Sequence, residues 1–99
     1  MKNLDSKTKQ FILEYLISRK GETISGDVLC KYSGLKNKAT LRQYINDLRI
    51  DGEPILSFWN GYKYSTDWSE VYKCVQELKG RAQSILNAAE GMMDRINNQ

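Results

Sequence analysis

Apolar residues recur at helical intervals in three short stretches, crowd into two brief β-prone runs, then return at helical intervals to the end of the chain. In the first stretch Phe11, Ile12, Tyr15 and Leu16 fall at i, i+1, i+4 and i+5, one stripe of a core-facing helix. Asp5 or Ser6 caps its start, and the helix is expected to end near Lys20 with Gly21 as its stop. Lys2, Lys7 and Lys9 precede the stripe or face away from it, and read as a solvated face in preference to phosphate contacts. A second helix is expected from the Ser25 cap to about Tyr32, with Val28, Leu29 and Tyr32 buried. Ser33-Gly34 breaks it, because glycine accepts the positive φ of a sharp turn, and Leu35 plugs that turn. Asn37 caps a third helix reaching about Ile50, whose Leu41, Tyr44, Ile45 and Leu48 face the first two.

Ile55–Trp59 and Tyr62–Thr66 are rich in β-branched and aromatic residues, and Asn60-Gly61 between them signals a type I′ hairpin turn. A two-residue turn there sets Trp59 opposite Tyr62, Phe58 opposite Lys63 and Ser57 opposite Tyr64. Ile55, Tyr62 and Tyr64 then share the inner face, while Phe58 and Lys63 project outward. Trp59 and Tyr62 are read as hairpin stabilisers rather than base-stacking platforms.

From Asp67 the pattern changes. Asp67 or Ser69 caps a long helix in which Trp68, Val71, Val75, Leu78, Ala82, Ile85, Ala89, Met92 and Ile96 follow 3-4-3-4 spacing. Tyr72, Leu86 and Met93 widen this seam on one side. A helix of about 30 residues spans roughly 45 Å, longer than a domain of residues 1–66 could cover. Pairing with a second subunit through Val71, Val75, Leu78, Ala82, Ile85, Ala89 and Met92 is therefore preferred to folding back on the chain's own core. Ala82 and Ala89 permit close approach in either a parallel or an antiparallel pair. Gly80 and Gly91 each weaken the helix by up to ~1 kcal/mol relative to alanine, so a break near Gly91 is a further expectation.

Composition narrows the chemistry. Ninety-nine residues suit a small domain, divided here into residues 1–66 and a helical segment, 67–99. The net charge of +3 is mild, but residues 1–66 hold 11 basic and 7 acidic side chains while 67–99 hold 4 and 5. The excess thus lies where a phosphate backbone would attract it. There is no histidine, and the two cysteines, Cys30 and Cys74, form no CxxC pair. No metal site, cofactor or catalytic base is expected, so the chain is not read as an enzyme; Asp47 and Asp51 are taken as helix-surface charges. Both cysteines are read as buried thiols. No apolar leader or membrane-length run occurs, which makes the cytoplasm the expected location.

Two helices joined by a tight turn and followed by a hairpin describe a winged helix-turn-helix. The expected fold class is therefore mainly α with a small β-hairpin: that module followed by a long C-terminal helix. The third helix turns Lys38, Ala39, Arg42, Gln43, Asn46 and Arg49 away from the core, with Thr40 near its start, where side chains reach base edges. Long cationic donors suit phosphate and guanine, and amides suit adenine.

The order Gly21-Glu22-Thr23-Ile24-Ser25-Gly26, Leu29, Ile45-x-x-Leu48-Arg49-x-x-Gly52 and Gly61-Tyr62 resembles the winged helix-turn-helix at the N-terminus of biotin-repressor proteins and related bacterial regulators. The resemblance covers roughly residues 20 to 66. It implies a DNA-binding fold whose Lys38–Arg49 helix enters the major groove while the hairpin acts as a wing. The turn Ser33-Gly34-Leu35-Lys36-Asn37 is one residue longer than the family's, and the biotin-ligase domain has no counterpart here. The expectation is a stand-alone homodimeric transcriptional repressor binding double-stranded DNA at a palindromic operator, of a kind common in bacteria and phages. Lys38, Thr40, Arg42, Gln43 and Asn46 would read bases; Lys36, Arg49 and Lys63 would anchor phosphates. The alternatives are a module docking a host or partner protein, and a DNA replication or packaging accessory.

Overall fold

The computed structural model describes residues 4–99, so Lys2 lies outside the described residues. Helix α1 spans Ser6–Ser18, capped by Asp5, whose carboxylate accepts from the Thr8 N–H at 3.1 Å. The helix ends two residues before Lys20, with Arg19 as its C-cap; Gly21 instead takes a positive φ and donates its N–H to the Tyr64 carbonyl. Helix α2, Gly26–Ser33, begins at Ser25 and closes on Gly34 in the left-handed conformation. Helix α3, Lys38–Ile50, begins at Asn37, which accepts from the Thr40 N–H at 2.9 Å.

The core joins Ile12 and Leu16 of α1, Leu29 and Cys30 of α2, and Leu41, Tyr44, Ile45 and Leu48 of α3 to Ile24 and Ile55. Leu35 packs against it from the turn, as expected. Three expected core residues lie outside. Phe11 is 43% exposed, Val28 36% and Tyr32 58%. In α2 the inward line is Leu29 and Cys30, which rotates Val28 and Tyr32 toward solvent. Phe11 stacks on Tyr15, and Tyr15 on Tyr32, as a surface ladder beside the core. Lys9 is not a free solvated cation either. Its ammonium lies 2.6 Å from both Asp47 and Asp51, tying α1 to the end of α3.

The hairpin is built from β1, Ile55–Phe58, and β2, Gly61–Tyr64, in antiparallel register. The register is Ile55 to Tyr64, Leu56 to Lys63, Ser57 to Tyr62 and Phe58 to Gly61, two residues from that expected. The turn is therefore centred on Trp59-Asn60. A type I′ turn at Asn60-Gly61 is excluded, since no non-glycine residue among those described has positive φ. A shift of two preserves the faces, so Ile55, Tyr62 and Tyr64 still share one. The cause of the shift lies in Gly61, which is needed for a close backbone approach and not for the turn. Ile24 and Tyr62 exchange backbone hydrogen bonds of 2.7 and 2.9 Å. A Cβ on Gly61 would lie 2.2 Å from the Ile24 carbonyl oxygen.

Helix α4 runs unbroken through both glycines from Trp68 to Asn97, 30 residues. Asp67 caps it, accepting from Ser69 and Glu70. Its first half packs on β1: Val71, Cys74 and Leu78 are half-buried, and Leu56 beneath them is 3% exposed. Everything from Lys79 onward is exposed. The seam thus serves two surfaces, which spacing alone could not reveal: its first half docks on the chain's own sheet and its second half covers nothing. Fold class matches the expectation, being mainly helical with one hairpin and a long C-terminal helix.

Gly61→Ala is expected to lower stability by at least about 2 kcal/mol in urea denaturation, because the clash is with backbone and cannot relax by rotamer change. Gly80→Ala, on an exposed helix face with no atom within 4 Å, is expected to raise stability by up to ~1 kcal/mol.

Candidate nucleic-acid interface

The outer side of α3 carries an exposed line at i, i+4 and i+8: Lys38, Arg42 and Asn46. Ile50 continues it and is 74% exposed. Lys36 projects from the preceding turn, also exposed. Among the described residues the side chains of Lys36, Arg42 and Asn46 make no hydrogen bond or ion pair. Lys38 has one partner, Asp27 at 3.4 Å, in an exposed pair that solvent screens. These four of the eight expected contact residues form one open polar face.

The other four are engaged or partly covered. Thr40 is half-buried, and its hydroxyl donates to the Asn37 side chain, so it helps to start α3. Gln43 is half-buried with Oε1 shielded and unpartnered among the described residues. Arg49 donates from Nε to the Ile55 carbonyl at 2.8 Å and from its guanidinium to Ser57 Oγ at 3.1 Å, fastening α3 to β1. Lys63 leaves the inner face as expected, but α4 covers the side onto which it emerges. Its ammonium sits 2.9 Å from Glu70 with only 17% of the side chain exposed. Arg49 and Lys63 therefore hold the hairpin.

Glu70 also accepts from Ser65 Oγ at 3.0 Å, and that same oxygen accepts from the Asp67 N–H. Ser65 is 4% exposed, so this node is the buried polar joint between β2 and α4. Hydrogen bonding from Lys63, then from Ser65, holds the Glu70 carboxyl below its ordinary value. On α1, the hydrogen bonds that the Lys9 ammonium donates to Asp47 and Asp51 raise it above its ordinary value.

Sequence reasoning missed the wing tip. Trp59 is 97% exposed and stabilises no strand pair, contrary to its expected role. Phe58 beside it is 45% exposed, with Lys63 5.3 Å from its ring centroid. The misplaced turn concealed this: centred on Asn60-Gly61 it keeps Trp59 in the ladder, whereas centred on Trp59-Asn60 it puts the indole at the apex. A cleft of about 250 Å³ separates the tip from the start of α2, lined by Ser25, Lys38, Trp59 and Asn60 among others.

Cys30 and Cys74 are free thiols. Cys30 is buried, and desolvation pushes its thiol above the ordinary value; Cys74 is only half-buried, short of the burial expected. Among the described residues no group of three or more His, Cys, Asp or Glu is placed to hold a metal, and no helix is long and apolar enough to cross a membrane.

The elements match the expected fold class, with three helices and a hairpin in the order of a winged helix-turn-helix followed by one long helix. No protein-family model, curated protein or solved structure gives a significant match to the chain.

Because the native Glu70 value is depressed, its stabilising contribution is present in full above the ordinary value of 4.5. It is lost as pH falls below that toward the native value. Thermal melts across this range are expected to show a steeper acid loss for wild type than for Glu70→Gln, with the two curves converging at low pH.

Proposed function

We propose that this chain is a homodimeric, sequence-specific reader of double-stranded DNA that represses transcription from the cytoplasm by occluding a promoter. The observation that carries this reading is the open Lys38–Arg42–Asn46 line on the outer side of α3, beside Lys36 and a projecting wing. Groove recognition calls for that arrangement: donors on the outward face of a helix whose other face is locked in a core. Arg42 and Asn46 are the base-reading residues, with Thr40 and Gln43 nearer the covered flank. Lys36 and Lys38 contact phosphate. Arg49 and Lys63 set the wing's position and so act on DNA indirectly. Likeness to the biotin-repressor winged domain supports the same reading, as does the basic excess in residues 1–66.

One observation favours a second reading. Trp59 and Phe58 form an exposed aromatic tip, a composition enriched at protein interfaces. In that reading the wing docks a partner protein, as in a phage or mobile-element factor acting on a host.

Titration with random duplex DNA separates the two. The DNA-reading form binds at low salt and weakens steeply as salt rises, while absence of measurable binding at low salt would leave the docking form. With a selected site, Arg42→Ala is expected to cost about 1–3 kcal/mol and relax preference at one base position. Lys36→Ala is expected to weaken all sequences alike and reduce the salt slope by about 1.

A further inference from the structure

The apolar face of α4 is three positions wide, and its residues are matched in size to their own reverse. Trp68, Val75, Ala82, Ala89 and Ile96 form one row of the seam; Val71, Leu78, Ile85 and Met92 form the other. Tyr72, Leu86 and Met93 flank the first row. We propose that a second copy's α4 lies antiparallel across this face over nearly the whole helix, so that the two winged domains stand toward opposite ends of the pair. This rests on the homodimer reading above and adds its orientation and register.

Three observations select the antiparallel pair. Antiparallel seams set one row against the other. With Ala82 against the partner's Ile85, Leu78 falls against the partner's Ala89 and Val75 against the partner's Met92. Each small residue then meets a large one, which fills layers that two facing alanines would leave thin. In a parallel pair Ala82 and Ala89 would each meet their own copies.

The flanks agree. Antiparallel pairing sets the flanking rows against their own kind, bringing Tyr72 to the partner's Met93, a favourable sulfur–aromatic contact. It also brings Lys79 near the partner's Glu90 and Arg95 near the partner's Glu77, two pairs of opposite charge. None of these four side chains has an ion-pair partner among the described residues of its own chain. Parallel pairing would instead set Tyr72 against the partner's Asp67 and Met93 against the partner's Ala88, without the sulfur–aromatic contact.

The third observation is a groove. Pro54, Ile55, Trp68, Val71, Val75 and Leu78 help to line an apolar trough of about 320 Å³ where α4 leaves the winged domain. Trp68, which helps to line it, is 65% exposed. In the proposed register the partner's Met92 and Ile96 lie over this trough, so the end of one α4 covers the beginning of the other.

Sedimentation of the full chain, followed by pulsed spin-label distances, tests the proposal. The label is placed at Asn97→Cys in a Cys30→Ala/Cys74→Ala background. A dimer with labels about 40 Å apart along the helix axis supports the antiparallel register. A dimer with labels about 10 Å apart, one helix spacing, overturns the orientation and leaves the homodimer standing. A chain that stays monomeric up to high micromolar concentration overturns both. Should the cysteine-free background fail to fold, small-angle scattering from the unmodified chain makes the same distinction. Two lobes toward opposite ends support the antiparallel pair, and two lobes side by side overturn it.

Discussion

The geometry of the domain depends on one close contact between backbones, where Ile24 and Tyr62 exchange hydrogen bonds and Gly61 passes against the Ile24 carbonyl. This contact makes the residue before the Ser25 cap into a third, one-residue edge of the hairpin. The start of α2 is thereby fixed to the wing. Gly34 closes α2 and Leu35 packs into the core just before α3 begins, so the outward face of α3 and the wing tip are both placed relative to this contact. Arg49 closes the loop from the other end by bonding α3 to β1. The candidate face is thus held from both ends of the sheet.

Most of the cations with a visible geometric role are spent on the fold. Lys9 clamps two aspartates, Arg49 holds a strand carbonyl and Lys63 holds Glu70. The charges left open on the α3 side are Lys36, Lys38 and Arg42, against one exposed Asp27. A whole-chain net charge of +3 therefore understates how positive that face is. Proteins that read grooves need this separation, because a cation already held in a buried pair is costly to recruit.

How much of this was legible in the sequence differed by length scale. The caps were readable, Ser25 and Asn37 singly and Asp5 and Asp67 each as one of two neighbouring candidates, because each is a local contest between a side chain and the first free N–H groups of a helix. The α3 core stripe was readable because four apolar residues over eight positions admit one helical face. The hairpin register was not, because Asn60-Gly61 is a turn signal only when Gly61 is free to serve the turn. Here a segment 37 residues earlier in the chain claims it. The roles of Arg49 and Lys63 were hidden for the same reason: their partners, Ile55 and Glu70, lie on other elements and carry no periodic mark. Open and engaged cations look alike until the elements are assembled.

The contrast between the two halves of α4 has a consequence for how tightly the chain is held along its length. Residues 79–97 add no contact to the domain core, and an isolated helix of that size, interrupted by two glycines, is marginal in water. The backbone hydrogen bonds there open without disturbing α3 or the sheet, so amide exchange should run along a gradient, slow near Val71 and fast toward Ile96. In a lone chain the far end of this helix reports only its own propensity to stay wound.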